Sequence, residues 1–324
     1  MKTTIKAAAA AGLFILILFP GCAQRQTNKA NLRLLYWNIQ NGMWSGQGDN
    51  YTRFVNWVSA QNPDVCVWCE SVTNYKTASD EKIRPEEAYL PEHWGELARR
   101  YGHEYWYKGG HRDNFPQVIT SKYPIVARLI GAVPDSIVSH GAGWAQIRKN
   151  GHTVNIVSLH TWPQVYGFGL ADKQERKASA AAREGDRFRR MEIEYVCNHT
   201  IGSVAGAEKQ LWMMMGDFNS KSRVDNYEYG FPEDTTAFLV HDYIRQHTPY
   251  VDVIAAKYPG EFQTTTGRRF RIDYVYCTRP LYDRIVSARV VSDEYTTPVR
   301  DPQELRNFWH PSDHRPIIID FDMR

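Results

Sequence analysis

The sequence lacks the features that divide a chain into several independent parts. Its 324 residues contain no low-complexity linker and no internal repeat. Because a single α/β domain can reach this length, we predict one domain rather than two. Hydrophobic residues make up 43% and charged residues 23%, so there is enough apolar material for a core beneath an ordinary soluble surface.

An excess of charge of one sign is also missing. Lysine and arginine total 39 against 36 acidic residues, which leaves a formal net charge of only +3. This composition does not by itself predict binding to nucleic acid, unless the basic residues cluster on one surface. Any interaction with a polyanion must therefore be argued from particular positions in the chain.

Cysteine is scarce, and its spacing predicts neither a disulfide framework nor a zinc site. Cys66 and Cys69 have the CxxC spacing, but there is no second pair and their segment is typical of a strand. Residues three apart on a strand point to opposite faces and lie about 10 Å apart, too far for a disulfide. We predict core packing for these two thiols, and the sequence leaves the pairing of Cys197 and Cys277 open.

One long apolar run lies at the N-terminus. Residues 7–19 are apolar, follow Lys2 and Lys6, and end at Pro20-Gly21-Cys22. The run is too short for an ordinary membrane-spanning helix but fits a secretory signal. We expect residues 1–22 to be a signal peptide, residues 23–30 a polar tether, and residues 31–324 the folded domain.

The end of this signal resembles a bacterial lipoprotein lipobox, in which Cys22 becomes the lipidated first residue of the mature protein. Phe19 and Pro20 depart from the usual residues of that motif, and the alternative is simple cleavage followed by release. We expect export to the periplasm or cell envelope, with a lipid anchor holding the protein on a membrane. No protein partner is expected.

Several short apolar runs each stop at a polar residue that can bind a metal ion or a phosphate. The residues at which they stop are Asn38, Glu70, His160 and Asp217. Such runs suit strands that are buried on both faces, although periodicity alone does not separate them from buried helices. Because ligands of layered α/β folds gather beyond strand ends, these side chains are candidates for one site.

The remaining pattern predicts helices that cover sheets of mixed strand direction. Apolar residues at helical spacing from Tyr51 to Val58 predict a helix that stops at Asn62-Pro63. Lys149-Asn-Gly151 predicts a hairpin turn between two strands. A second, long helix is expected between residues 164 and 200, with Phe188, Met191 and Tyr195 on one face.

Three residues have the chemistry of a metal site. Hydrolysis of a phosphate ester needs a hard cation, an aligned water, donors for the phosphoryl oxygens and help for the leaving group. Glu70 and Asp313 supply carboxylates, and Asn38 supplies a neutral carbonyl. Magnesium prefers oxygen ligands of this kind, and manganese is the alternative cation.

Five further residues have the chemistry of catalysis. Asp217 would orient or deprotonate the water, and Asn219 would hold a phosphoryl oxygen. His160 and His314 would bind the phosphate, while Asp273 would fix the tautomer of His314 and favour its cation. Taken singly, most of these residues are better explained as strand caps or turn residues. The hypothesis depends on the order of six motifs along the chain.

In this order the motifs resemble the endonuclease/exonuclease/phosphatase superfamily, over residues 32–321. The matching segments are Tyr-Trp-Asn38, Glu70, Ser121-Lys-Tyr-Pro-Ile125, Leu-His160, Gly-Asp-Phe-Asn219, Arg-Ile-Asp-Tyr274 and Ser-Asp-His-Arg-Pro316. The resemblance implies a four-layered α/β sandwich, with two packed mixed sheets flanked by helices. It also implies magnesium-dependent phosphoester cleavage, with Asn38, Glu70 and Asp313 near the metal and Asp273 supporting His314.

The substrate is a separate question, because substrate choice depends on loops. The leading expectation is a phosphodiesterase or nuclease that acts outside the cytoplasm. The alternatives are a lipid or sugar-phosphate phosphoesterase, or a non-catalytic surface binding module. Basic and polar loop residues either line an anionic groove or are scattered surface charge. They are Lys108, His111, Arg112, Asn114, Lys221, Arg223, Arg268 and Arg269.

Overall fold

The fold is seen in a computed structural model that describes residues 30–75, 93–109, 115–130, 137–300 and 308–324. The predicted signal peptide and all but the last residue of the tether lie outside these ranges, as do His111, Arg112 and Asn114. Within the described ranges, no helix is long and apolar enough to cross a membrane.

Two six-stranded sheets form the centre of the molecule. In spatial order, the first contains β11 (Ile285–Val290), β14 (Ile317–Phe321), β1 (Leu32–Asn38), β2 (Val65–Cys69), β4 (Val118–Ser121) and β3 (Tyr105–Lys108). The second contains β5 (Val126–Ile130), β6 (Ala142–Lys149), β7 (His152–His160), β8 (Leu211–Asp217), β10 (Asp273–Thr278) and β9 (Tyr250–Asp252). β12 (Val299–Arg300) and β13 (Trp309–His310) form a separate pair.

The helices lie between these strands along the chain. They are α1 (Gln40–Met43), α2 (Thr52–Gln61), α3 (Trp94–Arg100), α4 (Lys173–Ala181), α5 (Glu184–His199), α6 (Asn226–Tyr229), α7 (Leu239–His247), α8 (Val253–Lys257) and α9 (Arg279–Tyr282). Both large sheets are mixed, because β1 and β2 are parallel, as are β7 and β8, whereas their other neighbours run antiparallel.

Alternation along the strands produces four layers. On β1, Leu34 and Tyr36 face the space between the sheets, while Leu35 and Trp37 face outward with the residues of α2 and α3. The outer face of the second sheet packs in the same way against α5 and α7. Each central strand is therefore buried on both sides, which explains its nearly continuous apolar sequence. The predicted four-layered α/β sandwich is confirmed.

Local predictions with a clear stop signal are confirmed. Helix α2 begins where the Asp49 carboxylate accepts a hydrogen bond from the Thr52 amide at 3.1 Å, and its last residue is Gln61, directly before Asn62. The hairpin between β6 and β7 turns through Asn150 at φ 49° and Gly151 at φ 80°, as a type I′ turn requires. Cys66 and Cys69 are free thiols that pack on opposite faces of β2.

The predicted face of the long helix is wrong. The segment forms two helices, α4 and α5, and Met191 is 55% exposed. The buried face of α5 instead includes Glu192, Ile193 and Val196. Because a charged residue lies on the buried side, a search for apolar residues at helical spacing selects the wrong stripe.

Candidate active site

Strand ends from both sheets bring the predicted residues together. Asn38 ends β1 and Glu70 follows β2, and the parallel pairing of these strands puts both residues at the same end of the first sheet. In the second sheet, His160 of β7 lies opposite Asp217 of β8. Asp217 also lies opposite Asp273, because β10 runs antiparallel to β8. The register of each sheet thus gathers its own polar residues at one edge.

Asn38 joins the two sheets. Its Nδ2 donates to Glu70 Oε1 at 3.2 Å and to Asp217 Oδ2 at 3.1 Å. Its Oδ1 accepts a hydrogen bond from the Gln40 amide at 3.1 Å and keeps a second lone pair. The amide therefore links a carboxylate of the first sheet to one of the second, in addition to the ligand role that was predicted for it.

Glu70 has a strained backbone and a crowded carboxylate. Its φ of 55° is in the left-handed region, which costs a residue other than glycine about 1 kcal/mol or more. Oε2 accepts a hydrogen bond from the Asn41 amide at 3.1 Å. Burial and the neighbouring Asp313 carboxylate raise the pKa of Glu70. The two predicted metal ligands are thus close enough to repel each other.

Asp217 lies between two imidazoles. Its Oδ1 accepts a hydrogen bond from the Asn219 amide at 2.9 Å, and its Oδ2 lies 3.7 Å from Nε2 of both His160 and His314. Burial raises the pKa of Asp217 to about 7, the His314 charge opposes this shift, and Asp273 adds to it. A carboxyl group with this pKa accepts a proton readily near neutral pH.

His314 is held as a cation by a buried carboxylate. Its Nδ1 donates to Asp273 Oδ2 at 2.7 Å, and Tyr36 donates its hydroxyl to Asp273 Oδ1, also at 2.7 Å. Burial disfavours the imidazolium, but Asp273 and Asp313 outweigh it and raise the pKa of His314 well above its usual range. The structure brings Asp273 and His314 into the predicted contact.

His160 has the opposite charge state. Burial lowers its pKa well below the usual range, and the nearby His140 and His314 lower it further. The rings of His140 and His160 lie 4.4 Å apart between centroids. The site therefore contains one neutral imidazole and one charged imidazole on either side of Asp217.

Asn219 is oriented by its backbone. Its φ is 45°, and its Nδ2 donates to the Thr161 carbonyl oxygen at 3.0 Å. This bond ties the turn after β8 to the residue that follows β7. The side-chain amide is thereby fixed beside Asp217 on the wall of the cavity described below.

The donor set at the site fits a divalent cation. Oxygens of Glu70 and Asp217 and a nitrogen of His160 lie within 4.8 Å of one another. Asp313 Oδ1 lies 3.6 Å from His314 Nε2, and its carboxylate adjoins Glu70. Carboxylates concentrated in one buried place repel each other unless positive charge is added. A hard cation such as magnesium fits these oxygens.

Most of the predicted residues line a cavity of about 450 Å³. Another cavity, of about 510 Å³, lies elsewhere on the molecule. The predicted residues that line the first cavity are Glu70, His160, Asp217, Asn219, Asp313 and His314. Lys221 and Arg268 also line it, as the groove hypothesis requires. Arg223 instead binds Asp242 at 2.8 Å and points elsewhere. Arg269 is likewise absent from the cavity lining.

Sequence reasoning missed several residues of the site. Tyr36 had a usable signal, because it lies two positions before Asn38 on β1 and so shares its face of the strand. His140 and Arg189 also line the cavity, but no local pattern marks them. Their positions depend on packing between segments that are distant in sequence.

Comparisons with known proteins agree with this geometry. The sequence profile described as the Endonuclease/Exonuclease/phosphatase family matches residues 35–314. A search of curated proteins finds no match. Solved structures similar to the chain include an AP endonuclease from Archaeoglobus fulgidus, at 16% identity and a TM-score of 0.59, covering 90% of this chain and 100% of that one.

Two further structures have the same fold at low identity. A 3′ phosphatase from Neisseria bound to a product DNA hairpin has 16% identity and a TM-score of 0.56, with 90% and 100% of the two chains covered. A family protein from Bacteroides thetaiotaomicron has 14% identity and a TM-score of 0.55, with 91% and 100% covered. Because the family profile spans most of the sequence, this chain belongs to the Endonuclease/Exonuclease/phosphatase family.

Proposed function

We propose that this chain is a magnesium-dependent phosphodiesterase of the nuclease type that acts outside the cytoplasm. Membership of the family supports the general part of this proposal, that the chain is a metal-dependent phosphoester hydrolase. The observation that carries the proposal is the position of Asp217, which lies 3.7 Å from both a neutral and a cationic imidazole and is tied by Asn38 to Glu70.

The charge states of His314 and Asp217 indicate which of the two accepts the proton of the attacking water. His314 is already protonated, because Asp273 and Asp313 stabilise its cation, so it cannot accept a proton from water. Asp217, with its pKa raised to about 7, is the group that can. His314 then donates a charge-assisted hydrogen bond to a phosphoryl oxygen, and neutral His160 donates an ordinary one. Asn219 holds the turn that positions Asp217.

Glu70 and Asp313, with Asn38 Oδ1, would hold the cation, and a bound divalent ion supplies Lewis-acid stabilisation of the developing charge. Asn38 orients Glu70 and Asp217 toward each other through its Nδ2. Asn41 fixes the second oxygen of Glu70 through its backbone amide. These bonds hold both carboxylates in place before a substrate binds.

Two observations favour a nucleic acid as substrate. Lys221 and Arg268 add positive charge to the wall of the cavity that contains the catalytic residues, which suits a polyanion. The similar Neisseria structure is a 3′ phosphatase that holds a DNA hairpin. A lipid or sugar-phosphate ester remains the rival substrate class.

Action outside the cytoplasm is proposed from the sequence. The basic start, the apolar run of residues 7–19 and the Gly21-Cys22 pair form a secretory signal of the lipoprotein type. Export would deliver the enzyme to the periplasm or cell envelope, where lipid on Cys22 would hold it at a membrane.

A substrate screen tests the function. The purified chain is incubated with plasmid DNA, RNA, sphingomyelin, inositol phosphates and sugar phosphates, with magnesium or with a chelator. We expect nucleic acid to be cleaved only with the metal. Cleavage of sphingomyelin or a sugar phosphate alone would transfer the assignment to the rival class, and inactivity on every substrate would favour a binding module.

A further inference from the structure

A group of cations lines the catalytic cavity. Lys221 follows Asn219 by two residues, and both line the cavity together with Arg183 and Arg189. Arg183 has a φ of 51°, in the left-handed region that residues other than glycine rarely adopt. Strained residues of this kind cluster at ligand sites. Because they line the same cavity as Asp217 and His314, the cations lie beside the position of the proposed scissile ester.

Asp186 neutralises these cations only in part. Asp186 accepts from Arg183 Nε at 2.7 Å and from Arg189 Nη2, so one carboxylate serves two guanidinium groups. Within the part of the chain that the structure describes, Lys221 Nζ forms no ion pair and no hydrogen bond. Burial lowers the pKa of Lys221, Arg183 and Arg189 lower it further, and Asp186 opposes them. The repulsion indicates a surplus of positive charge that an anion would offset.

Aromatic rings hold the Lys221 ammonium without removing its charge. Nζ lies 4.5 Å from the ring centroid of Phe270, 5.8 Å from that of Phe231 and 5.9 Å from that of Tyr229. Such contacts orient a cation but leave its three hydrogen-bond donors free. The side chain is thus fixed at the cavity wall and can bind a ligand.

We propose that Lys221 and Arg183 form a second anion subsite, which binds a phosphate adjacent to the scissile phosphate of the same substrate. This inference rests on the proposed function, which assigns the region around Asp217 to the scissile ester. It specifies substrates with two neighbouring phosphates, such as a polynucleotide or a sugar bisphosphate. It disfavours phosphocholine esters, because their quaternary ammonium would meet like charge.

Calorimetric binding to the full chain in the presence of Mg²⁺ tests the subsite. One matched pair of probes is thymidine 3′,5′-bisphosphate and thymidine 5′-monophosphate; the other is inositol 4,5-bisphosphate and inositol 4-phosphate. We expect the bisphosphate of at least one pair to bind about tenfold tighter, which corresponds to about 1.4 kcal/mol. The pair that shows the preference distinguishes a nucleotide from a sugar source.

Variants of two lysines complete the test. Lys221→Met should abolish the preference and Lys221→Arg should keep it. Lys257→Met is the matched control, because Lys257 also lies over an aromatic ring, Tyr282 at 5.1 Å, but not in this cavity. Equal binding within both wild-type pairs would overturn the subsite, even if Lys221→Met failed to fold. So would an undiminished preference in a folded Lys221→Met protein.

Hydrolysis of bis(p-nitrophenyl) phosphate separates this inference from the proposed function. If the wild-type chain binds a bisphosphate preferentially but hydrolyses no ester, the subsite is supported and the proposed activity is contradicted. If it hydrolyses the ester but binds both members of each pair equally, the activity is supported and the subsite is contradicted.

Discussion

In the proposed mechanism, the charge on Asp217 decides whether the site can activate water. Its pKa is raised to about 7 by burial, whereas the pKa of His314 is raised well above the usual range by Asp273 and Asp313. Near neutral pH the imidazole is therefore a proton donor and the carboxyl group a proton acceptor. The two residues have different tasks although they lie only 3.7 Å apart.

Replacing Asp217 with asparagine should remove the proton acceptor and keep the shape of the side chain. We expect kcat to fall by about 10² to 10⁴, the usual range for loss of a general base. The melting temperature should not fall, because a buried carboxylate with a raised pKa is removed. Steady-state kinetics and thermal unfolding measure both effects. Asp283→Asn, at an exposed ion pair with Arg279, is the control and should match wild type.

His241 should make the fold sensitive to acid. It is buried, bonded to Tyr276 at 2.7 Å, and burial lowers its pKa from 6.5 to about 3. Below pH 6.5 His241 binds a proton in the unfolded chain but stays neutral in the folded chain, so the free energy of unfolding decreases as the pH falls. Between pH 7 and pH 5 this costs about 2 kcal/mol.

Asp217 and Glu192 titrate in the opposite sense, because their pKa values are raised. The test is therefore the difference between wild type and His241→Asn in the free energy of unfolding. Urea titrations at both pH values should give a difference that shrinks by about 2 kcal/mol at pH 5. His247→Asn, exposed on the same helix, is the control. A difference that does not vary with pH would contradict the prediction.

At the scale of elements, the close approach of β7 and β8 requires Gly216. A Cβ atom at this position would lie 2.0 Å from the Leu159 carbonyl oxygen of the neighbouring strand. We expect Gly216→Ala to cost about 3 kcal/mol, because backbone rather than a flexible side chain must move. Chemical denaturation measures this loss. Gly48→Ala, where the new Cβ meets no atom within 4 Å, should change stability by less than about 0.5 kcal/mol.

Helix α5 holds the loops beside His160 through Glu192. The carboxylate of Glu192 accepts hydrogen bonds from the Ser139 amide at 2.8 Å and the Trp162 amide at 2.9 Å. Glu192→Ala should cost about 2 kcal/mol, since the Ser139 amide, the Ser139 hydroxyl and the Trp162 amide lose their acceptor while an unfavourable buried charge is also removed. Urea unfolding measures this decrease in the free energy of unfolding. Glu194→Ala, exposed on the same helix, should cost less than about 0.5 kcal/mol.

The same elements explain which parts of the site could be predicted from sequence. Asn38, His160 and Asp217 each end an apolar strand, and a strand end is visible as the point where an apolar run stops. Glu192 looks like a solvent-facing charge on a helix, because the donors that bury it come from two loops far along the chain. The spacing of apolar and polar residues along the sequence indicates which face of an element is buried, but it does not show the distant donors that compensate a buried charge.

At the scale of the whole molecule, the residue pattern and the family resemblance predicted different features. Strand-like runs and the helical segments between them predicted sheets of mixed direction covered by helices, whereas the four-layered arrangement was implied by the resemblance. The cation group at Lys221 was visible only as isolated basic residues, because Asp186 and the aromatic rings reach it from separate segments. The roles of the eight predicted site residues remain predictions that kinetics must test.

The proposed attachment of the molecule to a membrane depends on residues outside the described ranges. If Cys22 is acylated, Cys22→Ser should move the protein from the membrane fraction to the soluble fraction and remove a metabolic lipid label. Cys277→Ala is the control, because Cys277 is a buried free thiol in the core and is inaccessible to acylation. It should keep both the label and the membrane location. A label that persists in Cys22→Ser would show that the lipid is attached to another residue. A wild-type protein without label would contradict the lipid anchor, and the enzyme would then act in solution.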